Sequence, residues 1–319
     1  MDLRWIDTKA MHVRESRIDI PANKTLPAAS IVYYEYGTQD DAKPVLLCVH
    51  GLARNGHDFD VIGTALCDQY RVISVDMPGR GNSPWLSDSL QYIYPNYVGW
   101  MLAFIKALGI TKVNWLGTSM GGIIGMIIAG TLPHRIERLI VNDVGAMVPK
   151  EGLKRISDYL DSIVLRDSKQ ELEDYLKRIY SSFGIDDETL WQHLFEHSIR
   201  QTEDGKYSLA FDPAIIDPIR KDTKNFTEFK DADLWQFWNN IKCPVLVIRG
   251  QLSDILLPTT AQQMQNSPIA PTLYEVENVG HAPALMNVEQ ISYVKKWLIS
   301  VPAFKASLKS RFFFWLSGF

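Results

Sequence analysis

Gly117-Thr118-Ser119-Met120-Gly121 spells G-x-S-x-G, between a short apolar run and a stretch of small residues. A strand-to-helix turn at that place would lift the Ser119 hydroxyl clear of the backbone, with glycines two positions away on either side to let neighbouring chain pass. A serine hydroxyl is a weak nucleophile until a base takes its proton, and the base needs a carboxylate to orient it. His281, in Val279-Gly280-His281-Ala282-Pro283, supplies an imidazole, and Asp254, in Gly250-Gln251-Leu252-Ser253-Asp254, a carboxylate. Both follow segments that read as strands, and the chain order is Ser, Asp, His. The chemistry of such a trio is acyl transfer. It also requires two N–H donors for the oxyanion. Met120, next to the serine, is one candidate. Leu52, in His50-Gly51-Leu52-Ala53-Arg54, is the other, with His50 read as a structural residue of that loop.

These residues need a scaffold, and the texture of the chain describes one. Apolar, β-branched runs at 30–36, 44–49, 70–75, 112–116 and 136–142 alternate with helical patterns at 57–68, 94–108 and 120–131. Strands alternating with helices indicate a parallel sheet covered on both faces, and the unbroken apolar run Val45-Leu46-Leu47-Cys48-Val49 suits a strand buried on both sides. The texture changes after Val144. Amphipathic helices are expected at 150–165, 169–183 and 188–199, with little strand signal. Strand and helix alternation resumes with 244–249, 259–266, 272–276 and 288–300. The reading is a core of residues 1–147 and 241–304, a helical block of residues 148–240 inserted into it, and a tail of residues 305–319. All three proposed triad residues follow the C-terminal ends of strands, where open α/β sheets carry their sites.

Composition narrows the function classes. Across 319 residues the net charge is −4, which gives no basic footprint for nucleic acid, and 46% hydrophobic with 22% charged residues is ordinary for a globular protein. Three scattered cysteines support neither a disulfide framework nor a Cys-rich zinc site and fit a reducing compartment, so a cytoplasmic location is expected. No apolar run is long enough for a transmembrane helix, and no G-x-G-x-x-G follows a strand, so no cofactor is expected. The anticipated partner is a small-molecule substrate.

On the His50-Gly51 loop, the run Asp76-Met77-Pro78-Gly79-Arg80-Gly81-Asn82-Ser83, the serine elbow, Asp254 and His281, the sequence resembles the α/β-hydrolase superfamily over nearly its whole length. The resemblance implies a mostly parallel doubly wound α/β sheet, a helical lid between strands six and seven, and an acyl-serine intermediate attacked by water without a cofactor. Ser119 in place of an aspartate sets the chain apart from haloalkane dehalogenases and epoxide hydrolases. His50-Gly51-Leu52-Ala53 stands where lipases carry HGGG, and the HGGPG and HGxGPG patterns are missing too. The remaining group is one of esterases, thioesterases and lactonases. A carbon–carbon bond hydrolase with the same triad and a ligand receptor on the same fold stay open as alternatives. Some relatives place the acid after strand six, where Asp143 stands. The Gly250-x-x-x-Asp254 spacing matches the commoner arrangement, and Asp254 is preferred.

Several features lie outside the triad. His193-Leu194-Phe195-Glu196-His197 matches the H-x-x-E-H zinc-peptidase pattern, and two histidines four apart share a helix face. Within an inserted block they read as a polar lid face. Trp191, Trp235, Trp238, Phe195, Phe226 and Phe237 are available to pack the lid or line a pocket, with Trp238 taken as the pocket-facing example and Arg54 as a possible contact for a substrate carboxylate. The tail joins Lys305, Lys309 and Arg311 to Phe312-Phe313-Phe314-Trp315-Leu316. Packing on the protein or on a second subunit is expected of it, with peripheral membrane contact as the alternative.

Overall fold

A computed structural model describes residues 13–38, 42–161, 165–219 and 230–304. The tail and Phe226 lie outside the described residues. Eight strands form one sheet: β1 (Val13–Ile20), β2 (Ala29–Tyr36), β3 (Val45–Val49), β4 (Arg71–Asp76), β5 (Val113–Thr118), β6 (Ile136–Asn142), β11 (Val245–Gly250) and β12 (Thr272–Val276). Their order is β1-β2-β4-β3-β5-β6-β11-β12. The first two pairings, β1 on β2 and β2 on β4, are antiparallel, and every later pairing is parallel. Among the strands expected from apolar runs, β5 and β11 are buried along nearly their whole length, while β12, at the sheet edge, is buried only at Val276. The strand β1 escaped notice because Arg14, Glu15, Arg17 and Asp19 break any apolar run; it is an edge strand, and charge there deters pairing with another chain.

The connecting helices are α1 (Asp60–Leu66), α2 (Tyr94–Ala107) and α3 (Met120–Thr131), with α8 (Pro258–Gln265) and α9 (Val288–Ser300) after the insertion. Helix α3 packs along β5 and β6, α2 packs on α3, and α1 meets α9. All three cysteines are free. No described helix is long and apolar enough to cross a membrane.

Between β6 and β11 the chain leaves the sheet. It departs through β7 (Met147–Val148) and returns through β10 (Ala232–Asp233), and these two short strands pair antiparallel, Val148 opposite Ala232. The excursion contains α4 (Lys150–Asp161), α5 (Lys169–Ile179), α6 (Glu188–Ser198) and a small hairpin of β8 (Ile199–Gln201) and β9 (Tyr207–Leu209). Three-residue strands are too short for alternation to show in sequence, so the hairpin was not expected. Ser168 caps α5 through the Glu171 N–H, and Asp187 caps α6 through Thr189 and Leu190. Backbone bonds that stitch the excursion to the core include Gly81 N–H to the Ala210 carbonyl at 2.8 Å, Asp212 N–H to the Gly79 carbonyl at 2.7 Å, Gly280 N–H to the Ser182 carbonyl at 2.7 Å and Ala284 N–H to the Phe183 carbonyl at 3.0 Å. A four-residue helix, α7 (Trp235–Trp238), then leads back to the sheet, packed on α3.

Candidate active site

Ser119 sits between the last residue of β5 and the first of α3 with φ 52° and ψ −114°, a conformation that L-residues avoid. The turn is held from several sides. Ser119 N–H donates to the Asn142 carbonyl at 2.9 Å, and Gly121 N–H donates to the His50 carbonyl at 3.1 Å. A side chain at Gly121 would put its Cβ 2.0 Å from the Val49 carbonyl oxygen, so only glycine lets the helix start this close to β3.

His281 reaches Ser119 from the loop after β12. Its Nε2 lies 2.9 Å from Ser119 Oγ, and its Nδ1 lies 2.8 Å from Asp143 Oδ2. A carboxylate can only accept, so Nδ1 carries the proton and Nε2 is left to accept from the serine. Asp143 is fully buried, has φ 57°, and uses its second oxygen to accept the Gly250 N–H at 2.8 Å. The three groups form one hydrogen-bonded line.

The expected acid, Asp254, is not in that line. It is half exposed and pairs with Arg155 of α4, at 2.8 Å for one of its two contacts. The physical reason lies one residue earlier. Buried Ser253 turns its hydroxyl inward to accept the Ile255 and Leu256 N–H groups, which closes the turn and faces Asp254 outward. The glycine of Gly250-x-x-x-Asp254 answers a different need. A Cβ there would lie 2.3 Å from the Gly280 carbonyl oxygen, so Gly250 admits the loop that carries His281. The residue that meets His281 follows β6 directly. The signal for it was an aspartate at a strand end, since Asp tolerates the left-handed conformation that swings its carboxylate over the sheet edge.

Met120 and Leu52 flank the serine as expected, and among the described residues neither N–H has a backbone acceptor. Arg80 positions the Leu52 loop and was missed in the sequence. Fully buried, it donates through Nε to the Leu52 carbonyl at 2.9 Å and through its other nitrogens to the Pro78 carbonyl at 2.8 Å and the Tyr97 hydroxyl at 3.0 Å. His50 is structural: its Nε2 accepts the Met77 N–H at 2.9 Å, its Nδ1 faces the Gly51 carbonyl at 2.6 Å, and burial holds its pKa down to about 3.

Two cavities meet at Ser119. Both are lined by Leu52, Ser119 and Ile156. The smaller, about 70 Å³, includes His281, Arg54, Asp58, Arg155 and Tyr180. The larger, about 310 Å³, includes Met120 and is walled by tyrosines and branched aliphatic residues. Arg54 is buried here, with Nε 3.1 and 3.0 Å from the Asp58 oxygens, one NH 2.8 Å from Ser198 Oγ, and its guanidinium 5.0 Å from the Tyr180 ring centre. Trp238 lines neither cavity. It belongs to α7, beneath α3, and its indole N–H donates to Ser267 Oγ at 3.0 Å. The aromatic residues of the excursion that reach the cavity beside His281 are Tyr180 and Phe183.

The H-x-x-E-H histidines meet the core, not a reacting centre. His193 Nε2 lies 3.1 Å and His57 Nδ1 2.9 Å from Asp60 Oδ2, while the Tyr36 hydroxyl donates to Asp60 Oδ1 at 2.8 Å. His57, Asp60 and His197 offer ligand atoms within 4.8 Å of one another, a spacing that suits a metal ion. The His57 and His197 rings, however, stack 3.7 Å apart with planes 16° apart, so their lone pairs lie in nearly parallel planes that do not converge, and one ring would have to turn before both could bind an ion. Burial, with the His57 and His193 charges behind it, lowers the His197 pKa to about 3. Burial also weighs against a charged His57, but its bond to Asp60 prevails and raises its pKa. The cluster clasps α6 to the core.

The family described as alpha/beta hydrolase fold matches residues 44–287. A 3-hydroxybutyrate-oligomer hydrolase from Cupriavidus necator is 41% identical over 238 residues, which span 73% of this chain and 80% of that protein. A provisionally named hydrolase from Rickettsia typhi superposes with a TM-score of 0.82 at 40% identity, over 90% of this chain and 99% of that one. An alpha/beta hydrolase from Novosphingobium aromaticivorans follows with a TM-score of 0.78 at 28% identity, over 90% and 99% of the two chains.

Proposed function

Since the chain belongs to the alpha/beta hydrolase family and is a hydrolase by that membership, we propose that it cleaves carboxylic esters through an acyl-serine at Ser119, with His281 as base and Asp143 as acid. The observation that carries this reading is the line Ser119 Oγ to His281 Nε2 at 2.9 Å and His281 Nδ1 to Asp143 at 2.8 Å, beneath two cavities. As Oγ attacks the ester carbon, its proton passes to Nε2, and buried Asp143 stabilises the imidazolium. The carbonyl oxygen gains charge between the Leu52 and Met120 N–H groups. His281 then gives the proton to the departing alkoxide. A water molecule, deprotonated by the same nitrogen, releases the acid and restores the serine.

The proposed substrate class is supported by the relative of Cupriavidus necator, whose name specifies oligomers of 3-hydroxybutyrate. Short oligomeric esters of a hydroxy acid are the proposed substrates. The excursion acts as a lid, supported by its residues Ile156, Tyr180 and Leu194 in the cavity wall. The test is a panel of p-nitrophenyl esters and 3-hydroxybutyrate dimers with wild type and Ser119→Ala. Ester turnover and fluorophosphonate labelling that both disappear in the alanine variant, with an unchanged circular dichroism spectrum, support the reading. Labelling that persists refutes it.

A further inference from the structure

The two cavities are not interchangeable, because His281 lines only one of them. The group that protonates the leaving oxygen must stand beside it, so the alcohol half of the ester lies in the cavity that His281 lines. The acyl half lies in the other, beside the Met120 N–H. Their linings then differ in a way that names the two halves. The acyl side is apolar, with Ile123, Val144 and Ile255 among its walls. The alcohol side carries two guanidinium groups, Arg54 and Arg155, against one carboxylate, Asp58.

Arg54 and Asp58 satisfy each other and are fixed by Ser198 and Tyr180. Arg155 is different. Its counter-ion, Asp254, does not line the cavity, and both side chains of that pair are 47% exposed, so water already weakens it and an exchange of partner costs little. Arg155 also directly precedes Ile156, the α4 residue shared by both cavities above Ser119. We infer that Arg155 leaves Asp254 to bind a free carboxylate on the leaving alcohol, so that the enzyme cleaves the ester bond nearest the carboxyl end of a hydroxy-acid oligomer and releases one hydroxy-acid anion per turn. The inference rests on the hydrolase reading above. In each turn the acyl–oxygen bond breaks, water supplies hydroxide to the acyl carbon and a proton to the alcohol, and the new carboxyl end is the acid released from Ser119.

The test compares the free-acid dimer of 3-hydroxybutyrate with its methyl ester, and follows products from a trimer acetylated at its hydroxyl end. For wild type the free acid is expected to be favoured in kcat/KM by about 10- to 100-fold, the range for a hydrogen bond to a charged group. Free monomer and acetylated dimer should appear first from the trimer. In Arg155→Gln the preference should collapse towards unity, mainly through KM, and Arg155→Lys should restore part of it. Asp254→Asn, which releases Arg155, should lower KM for the free acid. Equal use of acid and methyl ester by wild type, a preference untouched in Arg155→Gln, or acetylated monomer as the first product would overturn the inference. Those results leave p-nitrophenyl ester turnover and Ser119 labelling intact. Loss of these two from wild type would instead overturn the hydrolase reading itself.

Discussion

Replacing Asp143 by asparagine changes one heavy atom and should nearly silence the enzyme. The carboxylate accepts two hydrogen bonds, one from Gly250 N–H at 2.8 Å and one from His281 Nδ1 at 2.8 Å. Asparagine has one acceptor oxygen and one donor nitrogen in their place. With its oxygen kept on Gly250, the amide NH2 faces His281 Nδ1. The imidazole must then carry its proton on Nε2, where it can no longer accept from Ser119. With the amide turned over, its NH2 meets the Gly250 N–H and leaves a buried donor unsatisfied, at about 1–3 kcal/mol. The first arrangement is therefore favoured, and it is the unproductive tautomer. Loss of the charge adds to the effect, because the imidazolium of the transition state stands unpaired in a buried site. Together these predict a fall in kcat of about 10⁴, the size seen for such a substitution in other triads, or about 5.4 kcal/mol of transition-state stabilisation. Asp254→Asn removes one exposed ion pair and should change kcat on a neutral p-nitrophenyl ester by no more than about threefold. Steady-state assays at one pH, with active sites counted by fluorophosphonate, separate the two variants. An inactive Asp254→Asn beside an active Asp143→Asn would refute the tautomer argument outright.

Three further expectations concern the frame around the triad. Arg80→Met withdraws the donor that holds the Leu52 carbonyl, so kcat should fall by about 10²-fold, the loss that follows from disabling one oxyanion donor, with KM nearly unchanged; a rise in KM at constant kcat would contradict it. Gly121→Ala forces a Cβ to within 2.0 Å of the Val49 carbonyl oxygen and should cost about 2 kcal/mol or more in urea unfolding; an unchanged midpoint would show that the elbow yields. His50 and His197, with pKa values held down to about 3 mainly by burial, stay neutral in the fold yet take up protons near 6.5 when unfolded. Stability is therefore full above that value and declines as pH falls through it, by up to about 1.4 kcal/mol per pH unit for each group. Raised His57 has the opposite sign, losing its contribution only as pH rises through its folded value, and adds no slope below 6.5. Urea titrations between pH 6.5 and 5 should give a smaller slope for His197→Asn than for wild type, and equal slopes would remove His197 from the account.

Most of the sheet was legible because buried parallel strands must be apolar throughout, as in β3 and β11. Ser119 and His281, which the fold brings within hydrogen-bond distance, were legible for a different reason, since a strained elbow and a strand-end histidine each carry local markers. The acid was not. Asp143 and Asp254 each follow a strand, and the choice depends on where Ser253 turns its hydroxyl and on which backbone Gly250 must clear. Neither is a property of spacing. Trp238 failed similarly: a large aromatic residue fits a pocket and a helix interface equally well by type, and only its packing beneath α3 decides. The H-x-x-E-H pattern gained meaning from His57 and Asp60, far away in the chain.

The antiparallel neck formed by β7 and β10 has a consequence for how such a protein can diverge. Once Val148 and Ala232 are paired, the ends of the excursion are fixed by their own hydrogen bonds, whatever lies between them. The entropy of closing a loop grows only with the logarithm of its length, about 0.6 kcal/mol for each doubling. The closure of the neck therefore depends little on the length of the excursion above it, while Asn142 stays in register with β5 and β11 below it. The neck works as a socket, with the excursion seated on one side and the strand ends beside Ser119 on the other.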